Sequence, residues 1–362
     1  MKSMRFFLLN LLLLACLPAA DRLEVYVVDV EGAKSMLVVT PSGQSMLVDG
    51  GWAGFIDENY VVTQPDDRDA DRIVGIVKLA KVKQIDYFVI THYDTDHVGN
   101  VPRAVAKLPV PVLNFIDHGE PQTKDPTTLK EYQAYLDTID KVKAKRISVK
   151  PGDRIPMKGV DIVVVTSAAK VIDSPLPGAG AANPLCAGLP PGRPSRGENP
   201  ASVGLLYTFG RFRMIDFGDV TKGVEYDLMC PNNRVGTVDL FMVSHHGNDA
   251  SNSPQLVHAL HPRVAIMNNG ARKFGRPAAF QAIKTSPGLE DLWQMHYALD
   301  AGDGNNTSES LIANPQKEPD PKYFGAVLGD QGKWIKVSAQ RDGTFTVVNS
   351  RNNYGKTYRS RK

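Results

Sequence analysis

The stretch Thr91-His92-Tyr93-Asp94-Thr95-Asp96-His97 decides how this chain is interpreted. It places two imidazoles and two carboxylates within six consecutive positions. It directly follows residues 85–90, an apolar run rich in β-branched and aromatic residues that is typical of a buried strand. Imidazole and carboxylate are the usual nitrogen and oxygen ligands of divalent cations, so the stretch predicts a metal site at a strand end. A solvated acidic loop is the alternative.

Further side chains of the ligand type follow other strand-like runs. They are Asp49 after a meander over residues 23–48, Asp219 after a hairpin over residues 202–217, and His245 and His246 after residues 238–243. Segments with helical spacing, such as residues 69–83, lie between these runs. Strands that alternate with helices and deliver ligands to turns predict an α/β fold. We expect two sheets covered by helices, with a site along one rim.

Composition sets broad limits on this chain of 362 residues. The length allows one large domain or two small ones. The hydrophobic fraction of 42% and the charged fraction of 22% are ordinary for a globular protein. The formal charge of +3 is too small to indicate nucleic-acid binding by itself.

The N-terminal residues 1–20 have the pattern of a secretory signal. Lys2 and Arg5 precede an apolar run over residues 6–17, and small residues follow. A signal peptidase could cut after Ala20. Alternatively, Leu13-Leu14-Ala15-Cys16 resembles a lipobox, which would leave a lipid anchor at Cys16. Either pathway predicts an exported protein that is periplasmic, secreted or lipid-anchored. The rest of the sequence has no transmembrane segment.

The predicted domain covers residues 21–350. Residues 173–200 form a Pro/Gly-rich loop, with seven prolines and five glycines, that we expect to overhang the site. Residues 351–362 carry five basic and no acidic side chains, which predicts a frayed basic tail. Cys186 and Cys230 either pair or remain separate thiols, and separate thiols are the favoured interpretation.

With these residues in view, the chain resembles the metallo-β-lactamase superfamily, an αββα sandwich, over roughly residues 23–270. The superfamily motif His-x-His-x-Asp-His falls on residues 92–97, with Asp94 in place of the second histidine. The superfamily-like domain of ComEC competence proteins shares that aspartate. Other matching stretches are Asp29-Val30, Pro41-Ser42-Gly43, Leu47-Val48-Asp49-Gly50-Gly51 and Ser244-His245-His246-Gly247. One departure is Glu31-Gly32-Ala33-Lys34, where ComEC-type chains carry a glycine-rich turn.

The resemblance implies a centre for two divalent metal ions, zinc or manganese, of which the second is uncertain. One metal would use His92 and Asp94, the other would use Asp96, His97 and His245, and Asp219 would bridge the two. Asp49 would orient the ligand loop. The superfamily's third-motif histidine has no clear match, so Glu198 or Asn199 is a weaker oxygen donor there, or neither is. Asp96 and His246 are the catalytic candidates, with a structural hydrogen bond as the alternative role of His246.

The remaining histidines are weaker candidates. His118 follows a short strand and either faces the site or is structural. His258 and His261, around a helix end, are expected to be structural, and His296 is expected to be packed or on the surface.

The resulting functional hypothesis is an exported metal-dependent hydrolase that uses a metal-activated water. Asp94 makes the centre oxygen-rich, which favours a small-molecule or nucleic-acid phosphodiester as substrate. A lactone, β-lactam or other ester is the alternative substrate. A degenerate, non-catalytic metal-binding protein is the alternative class. The sequence does not predict the oligomeric state.

Overall fold

The structure is a computed structural model that describes residues 21–188, 196–302 and 304–361. The strands are β1 (Arg22–Val27), β2 (Met36–Val39), β3 (Ser45–Val48), β4 (Gly54–Ile56), β5 (Val62–Pro65), β6 (Tyr87–Val89), β7 (Asn114–Asp117), β8 (Lys145–Ser148), β9 (Arg154–Met157), β10 (Val160–Ser167), β11 (Lys170–Val171), β12 (Gly204–Phe209), β13 (Phe212–Asp216), β14 (Leu240–Met242), β15 (Val264–Met267), β16 (Asp291–His296), β17 (Ile312–Asn314), β18 (Ile335–Gln340), β19 (Thr344–Asn349) and β20 (Gly355–Arg359). The helices are α1 (Arg68–Leu79), α2 (Thr95–Val98), α3 (Val101–Lys107), α4 (Pro126–Val142), α5 (Glu198–Ala201), α6 (Lys222–Met229), α7 (Pro254–Leu260) and α8 (Pro277–Lys284).

The predicted signal segment, residues 1–20, lies outside the described residues, and so do Cys16 and both cleavage alternatives. No helix among the described residues combines the length and the hydropathy needed to cross a bilayer.

Two large sheets carry the site. The first has the strand order β20-β19-β18-β1-β2-β3-β6-β7-β8, and the second has the order β11-β10-β12-β13-β14-β15-β16-β17. Strands β3, β6, β7 and β8 are parallel, and so are β13 to β17. Because parallel strands end at the same edge of a sheet, the turns after β3, β6, β13 and β14 share one rim. Those turns begin the segments that carry Asp49, the 91–97 stretch, Asp219 and the His245-His246 pair.

The described apolar side chains form separate clusters between the layers. One cluster joins the facing sides of the two sheets, and it includes Val25 and Met46 of the first sheet and Leu205 and Met214 of the second. A second cluster packs α1, α3 and α4 on the outer face of the first sheet, and a third packs α6, α7 and α8 on the outer face of the second. Each fully buried aliphatic side chain contributes about 1.5–3 kcal/mol. These layers confirm the predicted αββα sandwich.

The C-terminal residues are part of the first sheet, so the prediction of a frayed tail over residues 351–362 is wrong. Strand β20 pairs with β19, and Tyr358 is buried. Trp293 Nε1 donates to the Tyr358 hydroxyl at 3.0 Å, and that hydroxyl donates to Asp291 Oδ2 at 2.7 Å. Lys356 and Arg359 belong to β20, which is an edge strand, and charged side chains on an edge strand hinder further strand pairing. The domain therefore extends beyond residue 350.

Cys186 and Cys230 form a disulfide, with a Cα–Cα distance of 5.7 Å. The preference for separate thiols is therefore wrong. Residues 173–188 pack along the segment that carries Cys230: Leu176 N donates to Arg234 O at 2.9 Å, and Asn183 N donates to Pro231 O at 2.9 Å. The described part of the Pro/Gly-rich loop is thus fastened to the body of the protein. Residues 189–195 lie outside the described residues.

Candidate metal centre

Asp49 fixes the 91–97 loop. It follows β3 with φ +56°, in a turn that continues through Gly50. A Cβ on Gly50 would lie 2.9 Å from Val101 Cγ2, so the turn has no room for a side chain there. Asp49 Oδ1 accepts from Thr91 N at 2.7 Å, and Oδ2 lies 2.8 Å from both Thr91 Oγ1 and His97 Nδ1. Asp49 therefore holds the backbone, the hydroxyl and one imidazole of the loop, which is the orienting role expected from the sequence.

His92, His97, His245 and His246 share one arrangement. A neighbouring polar group holds Nδ1 of each ring, and Nε2 lies beside a carboxylate of the rim. The groups at Nδ1 are Ser202 Oγ at 3.3 Å for His92, Asp49 Oδ2 at 2.8 Å for His97, Ser251 Oγ at 3.1 Å for His245 and the backbone carbonyl Asn268 O at 3.4 Å for His246. Metal-binding histidines are commonly oriented through the nitrogen that does not bind the metal. The ring orientations therefore suit Nε2 coordination.

The tautomer of His245 follows from its neighbours. The Ser251 hydroxyl donates its proton to Val220 O at 2.6 Å, so its oxygen accepts from His245 Nδ1–H. Asn248 Nδ2 lies 3.2 Å from His245 Nε2 and donates to it. The lone pair of Nε2 therefore accepts this amide hydrogen bond, and a cation or a proton at Nε2 would replace it. Burial lowers the pKa of His245 to about 4, with Asp219 opposing, so the ring is neutral at pH 7.

Asp96, His97, Asp219 and His246 form a compact cluster: one ligand atom of each lies within 4.8 Å of the others. His246 Nε2 lies 3.1 Å from Asp96 Oδ2 and 3.3 Å from Asp219 Oδ2. His245 Nε2 lies 3.7 Å from Asp219 Oδ2. The sequence grouped His245 with Asp96 and His97, whereas the structure brings His246 into that group. His92 and Asp94 form the neighbouring pair, with Nε2 and Oδ2 3.5 Å apart.

Two buried atoms show that these residues fit bound cations. Within the described residues, His92 Nε2 and Asp219 Oδ1 are buried and have no hydrogen-bond partner. A buried polar atom without a partner costs about 1–3 kcal/mol. A divalent cation would satisfy both atoms, and the mixture of imidazole and carboxylate donors suits zinc or manganese.

The charges of the cluster support one another without a metal. Burial disfavours the ionised forms of Asp96 and Asp219. At Asp96 the charges of Lys273 and His97 outweigh this effect of burial. At Asp219 the charges of His246 and His97 outweigh it. The pKa of each carboxyl is therefore held well below its usual range. Burial disfavours protonated His97, but Asp219, Asp96 and Asp49 raise its pKa well above the usual value. Since a metal-binding imidazole must be neutral, cation binding would release the proton of His97.

Glu198 and Asn199 lie where the superfamily has its third-motif histidine, and their side chains have different surroundings. Glu198 is buried, and its Oε2 lies 3.0 Å from His118 Nε2 and 3.3 Å from Tyr93 N, so its carboxylate braces the strand end. His118 is engaged in that contact, which favours its structural role. Asn199, the next residue, lines the same cavity as Asp94. Of the two oxygen donors considered from the sequence, Asn199 is the one placed at the site.

His258 and His296 contact groups of the fold away from this cluster. His258 Nε2 lies 3.1 Å from Ala282 O, and His296 Nε2 lies 2.7 Å from Asp29 Oδ1 inside the fold. His261 ends α7 in the left-handed conformation, with φ +51°. Each of these three rings lies outside the cluster of carboxylates described above.

A cavity of about 250 Å³ opens over the cluster. The lining residues are Trp52, Tyr60, Asp94, Thr95, Asp96, Asp125, Thr127, Thr128, Asn199, Asp219, His245, Lys273 and Phe274. Sequence reasoning missed the aromatic residues and Lys273. The available signal was the basic and aromatic run Arg272-Lys273-Phe274, shortly after a strand-like run. Such a run is also common in ordinary surface loops.

Comparisons with known proteins extend these observations. Residues 28–181 match the family model described as "Metallo-beta-lactamase superfamily". The chain is 25% identical over 257 residues to ComE operon protein 3 of Bacillus subtilis (strain 168), and the match covers 68% of this chain and 28% of that relative. The chain thus spans well under half the length of this relative. The family match ends before the strands that lead to Asp219, His245 and His246.

Solved structures that align with this chain include the metallo-beta-lactamase fold protein YhfI from Bacillus subtilis. The TM-score is 0.45 at 12% identity, and the alignment covers 75% of this chain and 96% of that one. Igni18, a metallo hydrolase from the archaeon Ignicoccus hospitalis KIN4/I, aligns with a TM-score of 0.39 at 12% identity and covers 75% of this chain and 95% of that one.

Proposed function

We propose that this chain, which carries a metallo-β-lactamase superfamily domain, is a metal-dependent hydrolase of phosphodiesters. One observation carries the choice of substrate: a single cavity holds the carboxylates Asp94, Asp96 and Asp219 together with the ammonium of Lys273. Oxygen-rich donor sets suit cations that neutralise phosphate charge, and the ammonium adds an anion contact beside them.

The described residues divide into two groups of donors. His92 and Asp94 would hold one cation, Asp96, His97 and His246 would hold the other, and Asp219 lies between the groups. Bound divalent cations neutralise the charge of a phosphodiester and lower the pKa of water. His245 lines the cavity with a neutral ring, and once Asn248 gives up its hydrogen bond to Nε2, that atom can accept a proton from an attacking water or complete a metal site. Asn199 at the cavity wall can orient the substrate.

We also propose that the protein acts outside the cytoplasm. The apolar N-terminal run with its basic start supports export. The Cys186–Cys230 disulfide is an independent observation in favour of an oxidising compartment. Cleavage after Ala20 and a lipid anchor at Cys16 remain the two forms of this proposal. Mass spectrometry of the mature protein distinguishes them, and a mature chain that begins at Met1 would contradict export.

The test of function is a substrate panel on the purified chain with Mn²⁺ or Zn²⁺. We expect hydrolysis of bis-p-nitrophenyl phosphate, about two equivalents of bound metal, and weaker or no hydrolysis of a lactone and nitrocefin. Asp219→Ala should abolish turnover and lower metal content. Asp227→Ala, on the exposed side of α6, is the matched control and should change neither.

Two outcomes contradict the proposal. Hydrolysis of nitrocefin or the lactone without hydrolysis of the phosphodiester indicates an ester or β-lactam hydrolase. One or no metal equivalent together with no turnover indicates a non-catalytic binding protein. If bis-p-nitrophenyl phosphate is hydrolysed, activity on single-stranded DNA distinguishes a nucleic-acid substrate from a small phosphodiester.

A further inference from the structure

Lys273 lies inside the centre and not at its edge. The residue is 2% exposed, and its Nζ donates to Asp96 Oδ2. The same oxygen lies 3.1 Å from His246 Nε2 and 3.4 Å from His97 Nε2. The ammonium therefore binds the carboxylate oxygen that faces both imidazoles, which is the oxygen that a cation held by these histidines would need.

Aromatic rings surround this ammonium on its other sides. Nζ lies 4.5 Å from the ring centroid of Trp52, 5.3 Å from that of Phe274 and 5.7 Å from that of Tyr60. Rings at these distances stabilise a positive charge. Among the described residues that line the cavity, Lys273 is the one with a fixed positive charge, and all three rings line it too. The rings can therefore hold the ammonium at the cavity wall after it leaves Asp96.

The backbone of Lys273 is fixed. The Lys273 carbonyl accepts from Gly270 N at 3.0 Å. Gly32 packs closely against the residue, since a Cβ on Gly32 would lie 2.9 Å from Lys273 Cβ. Gly275 N donates to His246 O at 2.9 Å, so the segment is joined to the loop that presents His246. A change of partner at Nζ therefore involves the four-carbon stem alone, and lysine has the rotamer freedom for it.

We infer that Lys273 is the specificity residue for anionic substrates: it gives up Asp96 when the centre takes up its cations and then binds an anionic oxygen of the phosphodiester. This inference rests on the proposed function and names the residue that recognises the substrate's charge. Cations bound by Asp96 and Asp219 repel the neighbouring ammonium of Lys273. They also neutralise the negative charge of Asp96, which is the partner of that ammonium. A phosphodiester oxygen restores an opposite charge next to the three rings.

Calorimetry separates this role from a structural one, because the two ligands should respond in opposite directions. We expect Lys273→Met to bind Mn²⁺ about fivefold more tightly than the wild-type chain, since the competing ammonium is gone. With saturating Mn²⁺, the same variant should bind inorganic phosphate about tenfold more weakly, since a charge-assisted hydrogen bond is lost. Arg272→Met is the matched control: Arg272 is the adjacent cation, lies over the Phe324 ring at 4.6 Å and should change neither affinity.

A measurement on the wild-type chain tests the inference even if the Lys273→Met variant does not fold. Labelling of Lys273 by an amine reagent, followed by peptide mass spectrometry, should accelerate when Mn²⁺ is added and slow again when phosphate follows. Weaker Mn²⁺ binding by Lys273→Met, unchanged phosphate binding, or labelling that ignores Mn²⁺ would each overturn the inference. Turnover of bis-p-nitrophenyl phosphate by the wild-type chain reports on the proposed function separately.

Discussion

His246 Nε2 lies 3.1 Å from Asp96 Oδ2. His245 and His246 are adjacent in the chain and both have φ +52°, yet their rings have different carboxylate neighbours. His246 reaches Asp96 and Asp219, whereas His245 reaches Asp219 alone at a longer distance. Two successive left-handed residues turn the backbone so sharply that the two rings point to different parts of the rim. The structure therefore separates their contributions to the centre.

The first prediction follows from this separation. His246→Ala should lower bound metal to about half of the wild-type content or less, because a donor of the tight cluster is lost. His245→Ala should keep more metal and lower kcat by about 100-fold, the usual scale for loss of a proton acceptor. Metal analysis and steady-state kinetics measure both. His258→Ala, remote from the cluster, is the control. Greater metal loss in His245→Ala would reverse the assignment.

The second prediction concerns Asp94, whose Oδ2 lies 3.5 Å from His92 Nε2. Asp94→His exchanges an oxygen donor for a softer nitrogen donor, so the ratio of Zn²⁺ to Mn²⁺ affinity should rise by about tenfold. Competitive titration of the metal-free protein measures that ratio. Asp125→Asn at the same cavity wall is the control and should leave it unchanged. An unaltered ratio in Asp94→His would remove Asp94 from the ligands.

The third prediction concerns the disulfide. The Cys186–Cys230 bond joins residues 44 positions apart, so it restricts the unfolded chain. Cys186→Ala combined with Cys230→Ala should lower the free energy of unfolding by about 2–4 kcal/mol. Metal content should not change, because neither cysteine lines the cavity over the cluster. Urea unfolding measures the stability. Two alkylatable thiols in the non-reduced protein would show that the bond is absent.

The fourth prediction concerns pH. Burial would lower the pKa of His296, but the Asp29 carboxylate outweighs it and raises the pKa to about 9. Burial raises the pKa of the nearby Glu31 to about 8, with His296 and Arg68 opposing. Both groups bind more protons in the folded state, so their stabilisation is present at low pH and is lost as pH rises. The free energy of unfolding should therefore fall from pH 4.5, where Glu31 begins to contribute, to about pH 9, where the contribution of His296 ends.

The contribution of His296 is at most about 3 kcal/mol. His296→Gln should reduce the total loss of stability between pH 6.5 and about 9, because the contribution of His296 is removed. Urea unfolding with a chelator present, at several pH values, measures the profile for both proteins without the contribution of bound metal. Asp330 and Arg72 also face the pair, and they remain in both proteins. A profile that is equally steep in the variant would contradict the prediction.

The sequence predicted the rim because its residues follow strands. Asp49, Asp96 and Asp219 lie where strand-like runs end, and parallel strands bring such ends together without further information. It could not predict that Lys273 contacts Asp96, because 177 positions separate them and only packing brings them together. The same holds for His296 and Asp29, which are 267 positions apart.

Local patterns also misled in identifiable ways. Strand β20 resembles a tail in composition. As an edge strand it has one buried residue, Tyr358, and its charged residues are more numerous. The sequence also could not assign His245 and His246 to separate roles. The difference between them arises from a backbone conformation that non-glycine residues seldom adopt, and adjacent identical residues give no signal for it.

The pairing of Arg22 with Gln340 has a consequence for the timing of synthesis. Strand β1 precedes every strand of the second sheet in the chain, but β18, which covers one of its edges, follows all of them. Until then, that edge remains open to incorrect pairing. The first sheet can close only after the strands of the second sheet have been translated. Under the proposed export, this late pairing would leave the first sheet open while the chain is threaded through a translocation channel.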